Sequence, residues 1–172
     1  MKQLPVAAGR ILAPIASIFL LISAVSAQEI GPPQGEVVLT VTGSIARTND
    51  GDNAIFDMGG LKALPSRTIE TSTPWTEGTH VYVGVSAKAL AELVGAGGTT
   101  VLATALNDYQ IEIPLEDFTA DRFIIAYQSD GEPMSIRDKG PLWIMYRFDD
   151  ETYANDTYYS RSIWQLKELS FQ

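Results

Sequence analysis

The chain has 172 residues, with 12 lysines and arginines against 21 aspartates and glutamates, one histidine and no cysteine, for a formal net charge of −9. Such an acidic surface repels nucleic acid and anionic lipid. The missing cysteines remove thiolate nucleophiles, disulfide exchange, thiolate-bound zinc, iron–sulfur clusters and covalent haem attachment, and a lone histidine poorly supports a multi-histidine metal site or a His-based hydrolase.

At the N-terminus, Lys2 and Arg10 precede an apolar run from Ile11 to Val25 that closes on Ser26 and Ala27. This is the three-part layout of a cleavable signal peptide, with Val25 and Ala27 at the two small-residue positions of the cleavage site. Residues 1–27 are therefore expected to be removed, leaving Gln28 as the first residue of a periplasmic or secreted protein. The run is shorter than the roughly 20 residues of a membrane-spanning helix and contains Pro14, so no stable anchor is expected after cleavage. No cysteine follows it, which excludes a lipid-anchored lipoprotein.

Residues 28–35 read as a flexible lead-in, because its glycines and prolines cannot sustain a regular element. Residues 36–172 have the usual size of one domain, and without disulfides it must hold together by packing. Glu36 to Ile45 alternates β-branched residues and predicts a strand, and Thr48 to Asn53 a turn into a short strand at Ala54–Phe56. Asp57 caps a brief helix ending before Pro65. Further strands are expected at Arg67–Thr71 and along the alternating Val81, Val83 and Val85. Ser86 and Gly95 delimit a helix over Ala87–Val94, with Leu90, Leu93 and Val94 on its apolar face.

Two strands joined at Asn107–Asp108 come next, then a helical turn at Pro114–Phe118 and a buried strand at Phe123–Gln128. A turn at Ser129–Glu132, a strand at Leu142–Arg147, a short helix within 149–160 and a last strand around Trp164–Phe171 complete the chain. Many short strands with few helices indicate a β-rich α+β domain.

Several ordered pieces of sequence resemble the oxidoreductase molybdopterin-binding domain of the sulfite oxidase superfamily. They are Trp75-Thr76-Glu77-Gly78, the helix Ala87 to Gly95, Asn107-Asp108-Tyr109 with Ile113 to Asp117, Ala126-Tyr127, Asp130 to Met134, and Gly140-Pro141-Leu142-Trp143. The series covers roughly residues 36–171, and the resemblance implies a compact β-rich α+β fold of the sulfite-oxidase type.

Active members of that family supply one cysteine thiolate to molybdenum from the segment before the Trp-x-Gly element. Here it reads Ile69-Glu70-Thr71-Ser72-Thr73-Pro74. A hydroxyl of Thr71 or Ser72 is a hard, high-pKa substitute for a thiolate. The family's C-terminal Lys-Trp pair, whose lysine helps hold the anionic pterin, is replaced by Arg161-Ser162-Ile163-Trp164, with Trp164 at the lysine position. The leader lacks a twin-arginine pair, which points to export in the unfolded state, without a preassembled cofactor.

No catalytic residue, metal ligand or cofactor is therefore expected. The leading expectation is a binding or sensory accessory module for a small anionic ligand or an envelope protein partner. The alternative is an active molybdopterin-dependent oxidoreductase using Thr71 or Ser72.

Arg137 and Lys139, joined by Arg161, are candidates for an anion-binding patch, because arginine forks grip phosphate or carboxylate. A turn in which Arg137 and Lys139 pair with Asp138 and Glu132 is the plainer expectation. Asn107, Asp108 and Tyr109 are candidate lining residues, although Asn-Asp is first of all turn chemistry. Trp75 is a candidate groove residue or, more simply, core. Tyr153, Tyr158, Tyr159 and Trp164, with the acidic residues around them, suggest a solvated loop, a carbohydrate or partner surface, or an oxygen-ligand calcium site. His80 has no second histidine and no evident acid partner in sequence, and reads as structural or exposed.

Overall fold

Asp57 organises the start of the domain. A computed structural model describes residues 29–172; the signal peptide expected over 1–27 lies outside the described residues. The lead-in has no regular element, and the backbone N–H groups of Gln34 and Gly35 donate to Asp57 Oδ2 at 2.6 and 2.7 Å. Asp57 Oδ1 accepts from Gly60 N at 2.7 Å and so caps the first helix. Donors from Gly60, Gln34 and Gly35 hold this carboxyl below its ordinary range.

The elements follow the expected order. β1 (Val37–Gly43) and β2 (Ala54–Asp57) pair antiparallel across a turn bridged at Asp50 and Asn53, and α1 (Met58–Lys62) follows. β3 (Ser66–Thr73) and β4 (Thr76–Ser86) form a long hairpin leading into α2 (Ala87–Val94). Ser86 Oγ accepts from Ala89 N at 3.1 Å, and Gly95, at φ +64°, ends the helix in the left-handed conformation. β5 (Thr100–Ala105) and β6 (Gln110–Pro114) join at the Asn107–Asp108 turn, followed by α3 (Leu115–Thr119) and β7 (Phe123–Ser129). A two-residue β8 (Glu132–Pro133), a 3₁₀ turn at Ile136–Asp138, β9 (Trp143–Tyr146), α4 (Asp156–Arg161) and β10 (Leu166–Phe171) complete the domain.

The strands make two sheets, and the architecture is α+β and β-rich. One sheet has the order β2-β1-β10-β5-β6; the other runs β3-β4-β7-β8, with β9 also paired to β7. The last strand, β10, inserts between β1, to which it is parallel, and β5, to which it is antiparallel. The first sheet is therefore continuous only once the C-terminal strand is in place, a pairing of very long sequence separation. One contiguous buried cluster draws on both sheets and on α2 and α3. Phe118 of α3 bridges them, with its ring 4.8 Å from Phe123 of β7 and 5.4 Å from Phe171 of β10.

β4 departs from the expected pattern. Val81 is exposed, while its neighbour Tyr82 is only 1% exposed. The β4–β7 register shifts between Val83 and Gly84, where Tyr127 is the extra residue on β7, so β4 keeps its own alternation with Tyr82 and Gly84 buried and Val81 outward. Gly84 is required there: a Cβ would lie 2.3 Å from the carbonyl oxygen of Ile125.

A fully buried carboxylate joins α3, β9 and α4. Asp117 Oδ1 accepts from Arg122 Nη1 at 2.6 Å, and Oδ2 accepts from Arg161 Nη1 at 3.0 Å and from the Tyr146 hydroxyl at 2.9 Å. Desolvation, then the adjacent Asp117 charge, pushes the Tyr146 phenol far above its ordinary pKa, so it stays a hydrogen-bond donor. Asp117→Ala strands two guanidinium groups and a buried hydroxyl. We expect it to cost about 3 kcal/mol of unfolding free energy, read as a lowered midpoint at constant slope in urea denaturation.

Candidate functional site

The loop after β8 owes its shape to its own backbone. Ser135 O accepts from Asp138 N at 2.9 Å and from Gly140 N at 2.8 Å, and Ser135 Oγ donates to Asp138 Oδ2 at 2.7 Å. Lys139 takes the left-handed conformation at φ +71°. Its carbonyl accepts from Gln165 N at 3.0 Å, and Gln165 Nε2 donates to Ile136 O at 2.8 Å, which fixes the loop to the segment before β10. Gly140 packs on the opposite limb; a Cβ there would stand 2.0 Å from the Met134 carbonyl oxygen.

The loop overhangs a cleft of about 390 Å³ whose lining includes Trp75, Tyr82, Arg137, Lys139 and Trp143. Glu132 and Asp138 also line it. Neither acid pairs with the basic residues: among the described residues no salt bridge reaches Arg137 or Lys139. The Lys139 ammonium instead lies 4.8 Å from the ring centroid of Trp164 and 5.7 Å from that of Trp143. The plainer expectation for this loop, internal pairing with Asp138 and Glu132, is thus not what the structure shows.

Trp75 separates this cleft from a second one of about 420 Å³, lined among others by Asn107, Tyr109, Tyr159 and Trp164. Both expectations for Trp75 meet here. It is half-buried, packs against Trp143, Phe148, Tyr159 and Trp164 at 5.6–5.8 Å, and gives a wall to each cleft. Asn107 and Asp108 form the turn that their chemistry predicts, with Tyr109 N donating to Asn107 Oδ1 at 3.2 Å and Asp108 at φ +65°. The Asp108 carboxylate points away from the aromatic wall to Lys167 Nζ at 2.6 Å.

Arg161 does not join Arg137 and Lys139. Its guanidinium is bound to Asp117 and lies over the Tyr158 ring at 5.3 Å. An isolated reading of sequence could not place a buried acid 44 residues away on this arginine. Tyr82 is the cleft residue that sequence reading missed, because the strand signal there comes from the alternating Val81, Val83 and Val85 on either side of it. Its hydroxyl is buried and, among the described residues, meets no hydrogen-bond partner, although Thr76 and Ser129 stand close by. Burial raises its pKa.

The two hydroxyls considered as replacements for a metal-binding thiolate are already committed. Thr71 Oγ1 donates to Ser72 O and accepts from Asp149 N, both at 3.1 Å. Ser72 Oγ donates to Asp149 Oδ1 at 2.6 Å. Neither side chain lines the cleft under Trp75. Hard hydroxyls held in this way do not fit a molybdenum centre. Among the described residues, no group of three or more His, Asp or Glu side chains is arranged to hold a metal ion.

His80 has the acid partner that its sequence neighbourhood lacks. Nδ1 lies 2.6 Å from Asp130 Oδ2, and Nε2 lies 2.9 Å from the Glu77 carbonyl oxygen. Both partners are acceptors, so this geometry calls for protons on both ring nitrogens. The Asp130 bond raises the His80 pKa, and the same bond lowers that of Asp130.

No family model matches the chain. It is 31% identical over 88 residues to a Bacillus subtilis (strain 168) protein described as the uncharacterized oxidoreductase YuiH. That match spans 48% of this chain and 44% of the relative, so it covers less than half of that protein. The similarity is at most a distant one to an oxidoreductase-named protein.

Two outcomes follow. Gly140→Ala pushes the Arg137–Lys139 loop off Met134, and is expected to change the near-ultraviolet circular dichroism of the tryptophans beneath it while lowering Tm by several degrees. The His80–Asp130 pair has the opposite pH signature on its two sides. The His80 contribution is fully present below its unfolded pKa and is lost as pH rises through the raised folded value; the Asp130 contribution is present above its unfolded pKa and is lost as pH falls through the lowered folded value. Because the chain has one histidine, a single imidazole proton resonance reports this titration, and in Asp130→Asn its midpoint should move down toward about 6.5.

Proposed function

We propose that this protein is an exported binding or sensory module on a sulfite-oxidase-like scaffold, and that it uses the cleft beneath Trp75 to hold a small anionic ligand without metal-based redox chemistry. The observation that carries this reading is the placement of Arg137 and Lys139 at an aromatic cleft, with no salt bridge to either among the described residues. A guanidinium and an ammonium there can meet a carboxylate or phosphate without first giving up an internal partner. The engagement of Thr71 and Ser72 with the Asp149 segment supports the non-redox half of the reading. The leader sequence supports export to the periplasm or beyond, and an envelope protein partner would deliver the signal of a sensory module.

The rival reading is a molybdopterin-dependent oxidoreductase with Thr71 or Ser72 as metal ligand. Its support is the distant resemblance to an oxidoreductase-named protein. Metal analysis and the visible spectrum of protein purified from its native compartment separate the two: a featureless spectrum with no stoichiometric metal is expected, and stoichiometric molybdenum would overturn the proposal.

A thermal-shift screen with pterins, nucleotides and organic anions should find a ligand that raises Tm. Lys139→Gln should weaken its binding about tenfold, the scale of one lost charge-assisted hydrogen bond.

A further inference from the structure

The Tyr82 hydroxyl is a buried polar group at the lining of the cleft with no hydrogen-bond partner. Buried hydroxyls in folded proteins are nearly always paired, and leaving one unpaired is costly. The hydroxyls of Thr76 and Ser129 stand close by, but among the described residues neither meets the Tyr82 hydroxyl in hydrogen-bonding geometry. The raised pKa keeps the phenol protonated, so the unmet capacity includes a donor. Around it the cleft presents two tryptophan rings, Trp75 and Trp143, and the two cations Arg137 and Lys139.

We propose that Tyr82 is the specificity-determining residue of this cleft, donating its buried hydroxyl to a carbonyl or similar acceptor on a flat, conjugated carboxylate whose anionic group is held by Arg137 and Lys139. This rests on the anion-binding reading above. It adds the second recognition point and the flat body that the half-buried Trp75 ring favours. A site built to hydrogen-bond one ligand group discriminates against an analogue lacking it, because the protein's own polar group is then left unpaired.

The test uses two probes of nearly equal shape, 4-acetylbenzoate and 4-isopropylbenzoate, titrated into the full mature chain by protein-observed NMR. The ketone should bind about tenfold more tightly than the hydrocarbon, as expected for one neutral hydrogen bond formed by an otherwise unpaired group. Tyr82→Phe should collapse that preference to near unity, and Lys139→Gln should weaken both probes while preserving their ratio. Tyr82→Phe removes no protein hydrogen bond, so it should fold with unchanged or higher Tm, which a melting curve checks directly.

Equal affinity of the two probes, or a preference that survives Tyr82→Phe, would overturn the role of Tyr82 and leave the anion reading standing. Binding of neither probe overturns this inference. If Lys139→Gln also leaves the ligand from the wider anion screen unaffected, the reading beneath it falls as well.

Discussion

Asp117 is the constraint on which the C-terminal half of the domain depends. A carboxylate with no solvent exposure is tolerable only if its charge and lone pairs are met from within, and here two arginines and a tyrosine do so. Each donor comes from a different stretch of chain: Arg122 from the turn before β7, Tyr146 from β9, Arg161 from the end of α4. Satisfying one buried charge therefore orients the two segments that carry Trp143 and Trp164. The aromatic wall of the cleft is, in this sense, a consequence of electrostatics several residues away.

A second layer of order comes from main-chain hydrogen bonding at turns. Asp57 gathers the entering strand and the first helix, and Asp121 accepts from Ser86 Oγ at 2.8 Å and from Lys88 N at 3.2 Å while its carboxylate also pairs with Arg67 at 2.9 Å. In a chain without cysteine these short polar side chains take over the role of fastening loops to elements. Their partners are mostly backbone donors, so the fastening is specific in geometry even where it is modest in energy.

Much of the fold was legible because its elements carry local signals. Ser86 with Gly95, Asn107–Asp108, and the β-branched run from Val37 each announce an element without reference to anything distant, and each is found where expected. What could not be read were facts of long range. Which face of β4 turns inward depends on how β7 meets it, and it is Tyr82 rather than Val81 that is buried there. The commitment of Arg161 to Asp117 and of His80 to Asp130 requires residues 44 and 50 positions apart to meet. Of the candidate residues, Trp75, Arg137 and Lys139 share one cleft, Asn107 and Tyr109 line its neighbour across the Trp75 ring, and Asp108 and Arg161 are engaged elsewhere.

The tryptophans themselves have an optical consequence. The chain has three, and Trp75, Trp143 and Trp164 lie with ring centroids 5.6–6.4 Å apart, Trp75 and Trp143 tilted and each edge-on to Trp164. Indoles so close exchange excitation and couple electronically, and two of them sit under a lysine ammonium whose field shifts their emission. The tryptophan fluorescence of the protein therefore originates at the wall between the two clefts. Every indole of the chain lines one or both of two adjoining clefts, so a molecule that enters either is placed to perturb tryptophan emission without a label.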